Sequence, residues 1–163
     1  MNIHTDGMAL ETGDTAPDFT VDSTSGEPFN LYRELEKGPI LLNFYVGDFG
    51  INCTNYMGKF IESYSRITDL GVRMVPINPD SLDSHKLWKD RMGAPFDFLF
   101  DKDKAVSKEY GAIVGPGHMV SGFTNREFFL IGKDRKILFT WKAPIPKVLP
   151  ELDEIVEGIK KSL

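Results

Sequence analysis

The chain has 163 residues, of which 41% are hydrophobic and 26% charged, the size and composition of one soluble globular domain whose core needs no staples. Its formal net charge of -5 excludes the basic face that non-specific nucleic-acid binding requires, and the polybasic cluster that draws a protein to anionic membranes. No apolar run reaches membrane-spanning length, and Met1-Asn2-Ile3-His4-Thr5-Asp6 has neither the basic start nor the apolar stretch of a secretory signal, so a cytosolic protein is expected.

Residues 1–11 carry no sustained period and read as a loose tail before a single domain over residues 12–163. Asp18-Phe19-Thr20-Val21-Asp22 alternates polar and apolar residues and predicts a short strand, with Ser25-Gly26 as turn chemistry after it. Phe29-Asn30-Leu31 reads as a second short strand, and Tyr32 to Glu36 as a short helix stopped by Gly38-Pro39. Ile40 to Val46 is almost continuously apolar between turn residues, which predicts a central strand covered on both faces. Tyr56, Phe60, Tyr64 and Ile67 then recur at spacings of three and four, one face of a helix.

Val72 to Ile77 predicts another buried strand, Ser84 to Met92 a helix, Phe98 to Phe100 a short strand and Lys104 to Tyr110 a helix. Ala112 to Gly122 is rich in glycine and shows no period; its Gly115-Pro116-Gly117 lacks the Lys-Ser/Thr of a phosphate cradle. Glu127 to Ile131 and Ile137 to Trp141 flank Lys133-Asp134-Arg135-Lys136, the pattern of a hairpin. Leu149, Leu152, Ile155, Val156 and Ile159 give an amphipathic closing helix with Pro150 in its first turn. Strands alternating with helices, ending in a hairpin, predict an α/β fold: a mixed central sheet with helices on both faces, in the thioredoxin-like pattern.

Cys53 is the one cysteine of the chain, so no intrachain disulfide can form. It follows the central strand and Gly47-Asp48-Phe49-Gly50, near the first turn of the next helix. Unpaired backbone N–H groups and the positive end of the helix dipole favour a thiolate there, and the thiolate is the nucleophilic form. The competing reading is a buried cysteine packed beneath the helix. Three dispersed histidines, His4, His85 and His118, together with one cysteine lack metal-ligand spacing, so no metal and no cofactor are expected.

The segment Asn43-Phe44-Tyr45-Val46-Gly47-Asp48-Phe49-Gly50-Ile51-Asn52-Cys53-Thr54 resembles the active-site segment of peroxiredoxins of the alkyl hydroperoxide reductase and thiol-specific antioxidant type. Gly13 to Phe19, Ser84-His85-Lys86-Leu87-Trp88, Pro95 to Gly111 and Asn125 to Ile131 resemble further motifs of that family in the same order, from about residue 12 to the end. The resemblance implies that Cys53 is the peroxidatic cysteine and Arg126 the cation facing it, where a guanidinium stabilises the thiolate and holds peroxide oxygens. It implies attack of the thiolate on a peroxide O–O bond and a sulfenic acid on Cys53. It places Tyr45, Val46 and Gly50 around that pocket, makes His85 structural, and gives Phe49 to a loop that many relatives use in dimer contacts.

Three positions depart from the family pattern: Val46 stands for proline, Gly50 for threonine and Tyr56 for glutamate. The missing threonine hydroxyl is a donor aimed at the transition state, a kind of group whose loss costs about 10²–10³ in rate elsewhere. The expected protein is therefore a one-cysteine thiol peroxidase acting on hydrogen peroxide or organic hydroperoxides. Its reductant would be an external thiol or a thioredoxin- or glutaredoxin-like protein, with a homodimer by family analogy. The alternative is a degenerate thioredoxin-fold binding, regulatory or redox-sensing protein with little turnover, since fold does not guarantee activity.

Overall fold

The computed structural model describes residues 10–163. Strands β1 (Thr20–Ser23), β2 (Phe29–Asn30), β3 (Ile40–Phe44), β4 (Arg73–Asn78), β5 (Leu99–Phe100), β6 (Glu127–Ile131) and β7 (Ile137–Lys142) form one sheet in the order β2-β1-β5-β4-β3-β6-β7. β3 runs parallel to β4 and antiparallel to β6, so the sheet is mixed, as the element order predicts. All five residues of β3 and of β6 are buried, which is what a near-continuous apolar run requires of strands covered on both faces.

Two apolar clusters lie on the two faces of the sheet. Leu31 and Leu35 of α1 (Leu31–Leu35) and Val106 of α5 (Ala105–Glu109) pack with Ile40, Leu42, Phe44 and Phe129 on one face. Tyr56, Met57 and Phe60 of α2 (Ile51–Glu62), Trp88 of α4 (Leu82–Met92) and Ile155, Val156 and Ile159 of α6 (Leu152–Ser162) pack with Leu41, Phe128 and Leu130 on the other. Alternation along β3 and β6 assigns successive side chains to opposite faces, and that is how one strand feeds both clusters. Gly158 lets α6 lie flush on the sheet, because a Cβ there would stand 2.2 Å from the Phe139 ring.

Several boundaries differ from expectation. The central strand stops at Phe44 rather than Val46, leaving Tyr45 and Val46 in the connection to α2. The helix face expected as far as Ile67 breaks after Glu62 and resumes as the short α3 (Ser65–Thr68). Tyr64 sits at the break, edge-on to Phe96, with its hydroxyl accepting from the Met74 N–H at 2.9 Å, so a tertiary contact outweighs helical propensity there. Leu149 and Pro150 precede the closing helix instead of forming its first turn. Residues 1–9 of the expected tail lie outside the described residues. Of the two described residues of that stretch, Leu10 is buried in the first cluster and Glu11 pairs with Lys142 at 3.0 Å.

Candidate active site

The connection from β3 to α2 turns sharply at Phe49, a non-glycine residue at φ 62°. Gly50 follows as the N-cap in an extended conformation and offers the helix no side-chain cap. Cys53 is thereby the third residue of α2, on its buried side, with 2% of its surface exposed. Its position at the strand-to-helix turn is the one the sequence predicts, in the stretch where backbone N–H groups lack helical partners.

Cys53 and Arg126 line one cavity of about 240 Å³ with Val46, Gly47, Gly50, Ile51 and Asn52. Arg126 stands just before β6 and is 5% exposed, so the ordinary reading of a surface arginine does not hold. One terminal N–H of its guanidinium donates to the Pro146 carbonyl, and its Nε has no partner although it is buried. An unpaired buried donor on a charged group is costly, and such groups normally find partners. A larger, outer cavity of about 510 Å³ shares Val46, Asn52 and Arg126 with the first and extends past the exposed His118, Met119, Ile145 and Lys147.

Behind Cys53, Tyr56 is fully packed, with its hydroxyl donating to Asn43 Oδ1 at 3.4 Å. Burial, reinforced by Cys53, pushes this hydroxyl well above the usual tyrosine range, against the opposing pull of Arg126 and the Asn43 hydrogen bond. Tyr56 thus stays a neutral donor where the family pattern has a carboxylate, and Arg126 gains no counter-charge from it.

Tyr45 is the one expected pocket residue that the structure takes elsewhere. It does not line either cavity containing Arg126. Its ring stacks on Trp88, and its hydroxyl donates to Asp48 Oδ1 at 2.5 Å and lies 3.3 Å from His85 Nδ1. Asp48 Oδ2 accepts from the Ser84 hydroxyl at 2.7 Å and lies 2.6 Å from His85 Nδ1, while the Asp48 N–H donates to Asp80 Oδ2 at 2.7 Å. This buried network fastens the turn, and it explains how Phe49 is held at positive φ beside Trp88 and Arg91. His85 is structural in that sense. Asn52, Pro146 and Lys147 were not singled out from the sequence: Asn52 had only its place beside Cys53 to mark it, and Ala143-Pro144-Ile145-Pro146 carries no motif.

A sheet of this order, with a cysteine in the first turn of the helix after its central strand, defines a thioredoxin-like protein. Peroxidoxin BcpB from Mycobacterium tuberculosis shares the fold with a TM-score of 0.81 over 93% of this chain and 97% of its own, at 22% identity. Residues 12–140 match the AhpC/TSA family, and the chain belongs to that family. It is 34% identical to the peroxiredoxin of Thermoplasma volcanium over 160 residues, 94% of this chain and 75% of that protein. It is 29% identical to a 1-Cys peroxiredoxin of Medicago truncatula over 164 residues, covering 94% and 74% of the two.

Proposed function

We infer that this chain is a thiol-dependent peroxidase, an oxidoreductase that reduces hydrogen peroxide or organic hydroperoxides with Cys53 as its nucleophile. The observation that carries the reading is the shared cavity of Cys53 and Arg126 at the first turn of α2. The Cys53 thiolate attacks the terminal oxygen of R–O–OH. An S–O bond forms, the O–O bond breaks, and the leaving alkoxide takes up a proton to give R–OH. Sulfur gives up two electrons and becomes the sulfenic acid. Arg126 holds the thiolate and the peroxide oxygens, its guanidinium aimed where charge develops. Val46 walls the cavity and Gly50 supplies only backbone. Tyr45 supports the turn through Asp48 rather than touching the peroxide.

With one cysteine in the chain, the return half must come from outside. One external thiol condenses with the sulfenic acid, releasing water and leaving a mixed disulfide. A second thiol displaces Cys53 and leaves as a disulfide. A small thiol or a thioredoxin- or glutaredoxin-like protein fits this chemistry. A cytoplasmic homodimer, each chain a single domain over residues 12–163, completes the proposal. Among the described residues no helix is long and apolar enough to cross a membrane.

The test is the second-order rate of thiol loss with hydrogen peroxide. The wild-type protein is expected to consume one thiol per peroxide far faster than free cysteine, and Cys53→Ser to show no turnover. A rate equal to that of free cysteine would sink the reading.

A further inference from the structure

β3 is apolar except for Asn43, whose side chain is fully buried. A buried amide costs free energy unless its polar atoms are used, so its partners are informative. Asn43 Nδ2 donates to the Phe44 carbonyl at 3.1 Å and to the Glu127 carbonyl at 3.5 Å, and Oδ1 accepts from the Tyr56 hydroxyl at 3.4 Å. Glu127 pairs with Phe44 at the end of the β3–β6 ladder, one residue after Arg126. Tyr56 lies three residues after Cys53, on the same buried side of α2. One amide therefore touches both the strand that delivers the cation and the helix that delivers the nucleophile. Burial and Cys53 raise the Tyr56 hydroxyl and Arg126 opposes them, so both site residues lie within electrostatic reach of it. Neither Asn43 nor Tyr56 lines the cavity of Cys53 and Arg126, so a peroxide bound there does not meet them.

We propose that Asn43 and Tyr56 are a positioning pair that sets how Arg126 stands against Cys53. The inference rests on the peroxidase reading. The Arg126 guanidinium donates to the Pro146 carbonyl and leaves Nε unpartnered, so its place depends on where β6 begins. Asn43 fixes that point from β3, and the Tyr56 hydroxyl ties the nucleophile's helix to the same side chain. The two longer bonds leave room to tighten, as hydrogen bonds around a reacting site commonly do when substrate binds.

Two variants separate positioning from packing. Tyr56→Phe removes the hydroxyl and keeps the ring edge-on to Phe60; Tyr56→Phe combined with Asn43→Leu removes both polar partners. We would measure unfolding stability and the second-order rate of Cys53 oxidation by hydrogen peroxide. Tyr56→Phe should lose stability, because it leaves Asn43 Oδ1 without a donor, and the double variant should regain it. Oxidation should fall about tenfold in Tyr56→Phe, part of the roughly hundredfold that a 1 Å misplacement can cost, and stay down in the double variant. In an Arg126→Met background, Tyr56→Phe should change the rate by less than about twofold, since there is no cation left to place. Oxidation that recovers together with stability in the double variant would overturn the inference and make the pair packing alone. An undiminished rate in Tyr56→Phe, or the same tenfold loss without Arg126, would also overturn it. Wild-type oxidation no faster than that of free cysteine would sink the peroxidase reading instead.

Discussion

Arg126 and Glu127 are neighbours in sequence, and among the described residues theirs are the two buried side chains left with an unpartnered polar atom, Nε of one and Oε1 of the other. They lie in opposite surroundings. Arg126 borders a cavity that is also lined by Cys53. Glu127 accepts from Asn125 and feels the charges of Lys142 and Glu11. A stranded charge is unfavourable in either place. On the Arg126 side the cavity leaves a way in for the peroxide that we propose as the missing partner. On the Glu127 side the missing partner is a proton: burial raises the carboxyl to about 7. On the proposed reading, the same defect is a binding feature where the site is open and a titration where it is closed.

The largest effect that would break this comparison is on rate. Arg126→Met keeps an apolar stem of similar reach and removes the charge. Peroxide-dependent oxidation of Cys53 should fall by about 10²–10³, the usual loss when a donor aimed at the transition state is deleted. Unfolding stability should hold or rise, because replacing an uncompensated buried charge with a packed apolar side chain is commonly neutral or favourable. A rate within a few-fold of wild type, measured by stopped-flow thiol oxidation, would mean that the unpartnered Nε is only a packing defect.

Glu127→Gln should do the opposite: leave the rate within about twofold and change the pH dependence of stability. A carboxyl at about 7 in the folded chain against 4.5 in the unfolded one binds its proton more tightly when folded. Its ionisation therefore penalises the folded state, so the wild type loses stability as pH rises from about 4.5 to 7 and levels off above. The loss attributable to this group is on the order of 3 kcal/mol. Chemical unfolding at pH 5 and pH 8 should show that fall in the wild type and not in Glu127→Gln. Equal pH profiles for the two proteins would show that Oε1 finds a partner in solution.

How much of this was legible in the sequence divides along physical lines. The apolar run at 40–46 and the turn after it announced a covered strand and a cysteine at a helix start, because periodicity and turn residues are local signals. Arg126 was legible only through the resemblance; nothing local separates a buried arginine from a surface one. Tyr45 was assigned to the pocket for its place in the motif, yet its hydroxyl goes to Asp48 and His85, the second of which lies 40 residues away. Leu10 belongs to no periodic segment, and its burial is set by the body it docks on. The outer cavity joins residues 46 and 52 to segments near 118 and 146, a conjunction that only the folded chain makes.

The smallest effect concerns Gly50, where the sequence departs most sharply from the family pattern and the structure shows what the departure removes. Gly50 is the N-cap of the helix that carries Cys53, at φ -63° and ψ 141°, a conformation open to any residue. A Cβ there would meet nothing closer than the Gly47 carbonyl oxygen at 3.7 Å, so threonine fits without strain. Its Oγ1 can accept from the N–H of Asn52 or Cys53, the usual partners of a capping hydroxyl, while its proton points into the cavity as a donor to peroxide. Gly50→Thr should therefore raise stability by only a few tenths of a kcal/mol, since glycine is already a tolerable cap. The oxidation rate should rise about tenfold, at the modest end of what a single oriented donor supplies. Stability that rises with no gain in rate would confine the hydroxyl to capping, and would mean that Arg126 and the backbone N–H groups of the first turn already do all the electrostatic work the reaction receives.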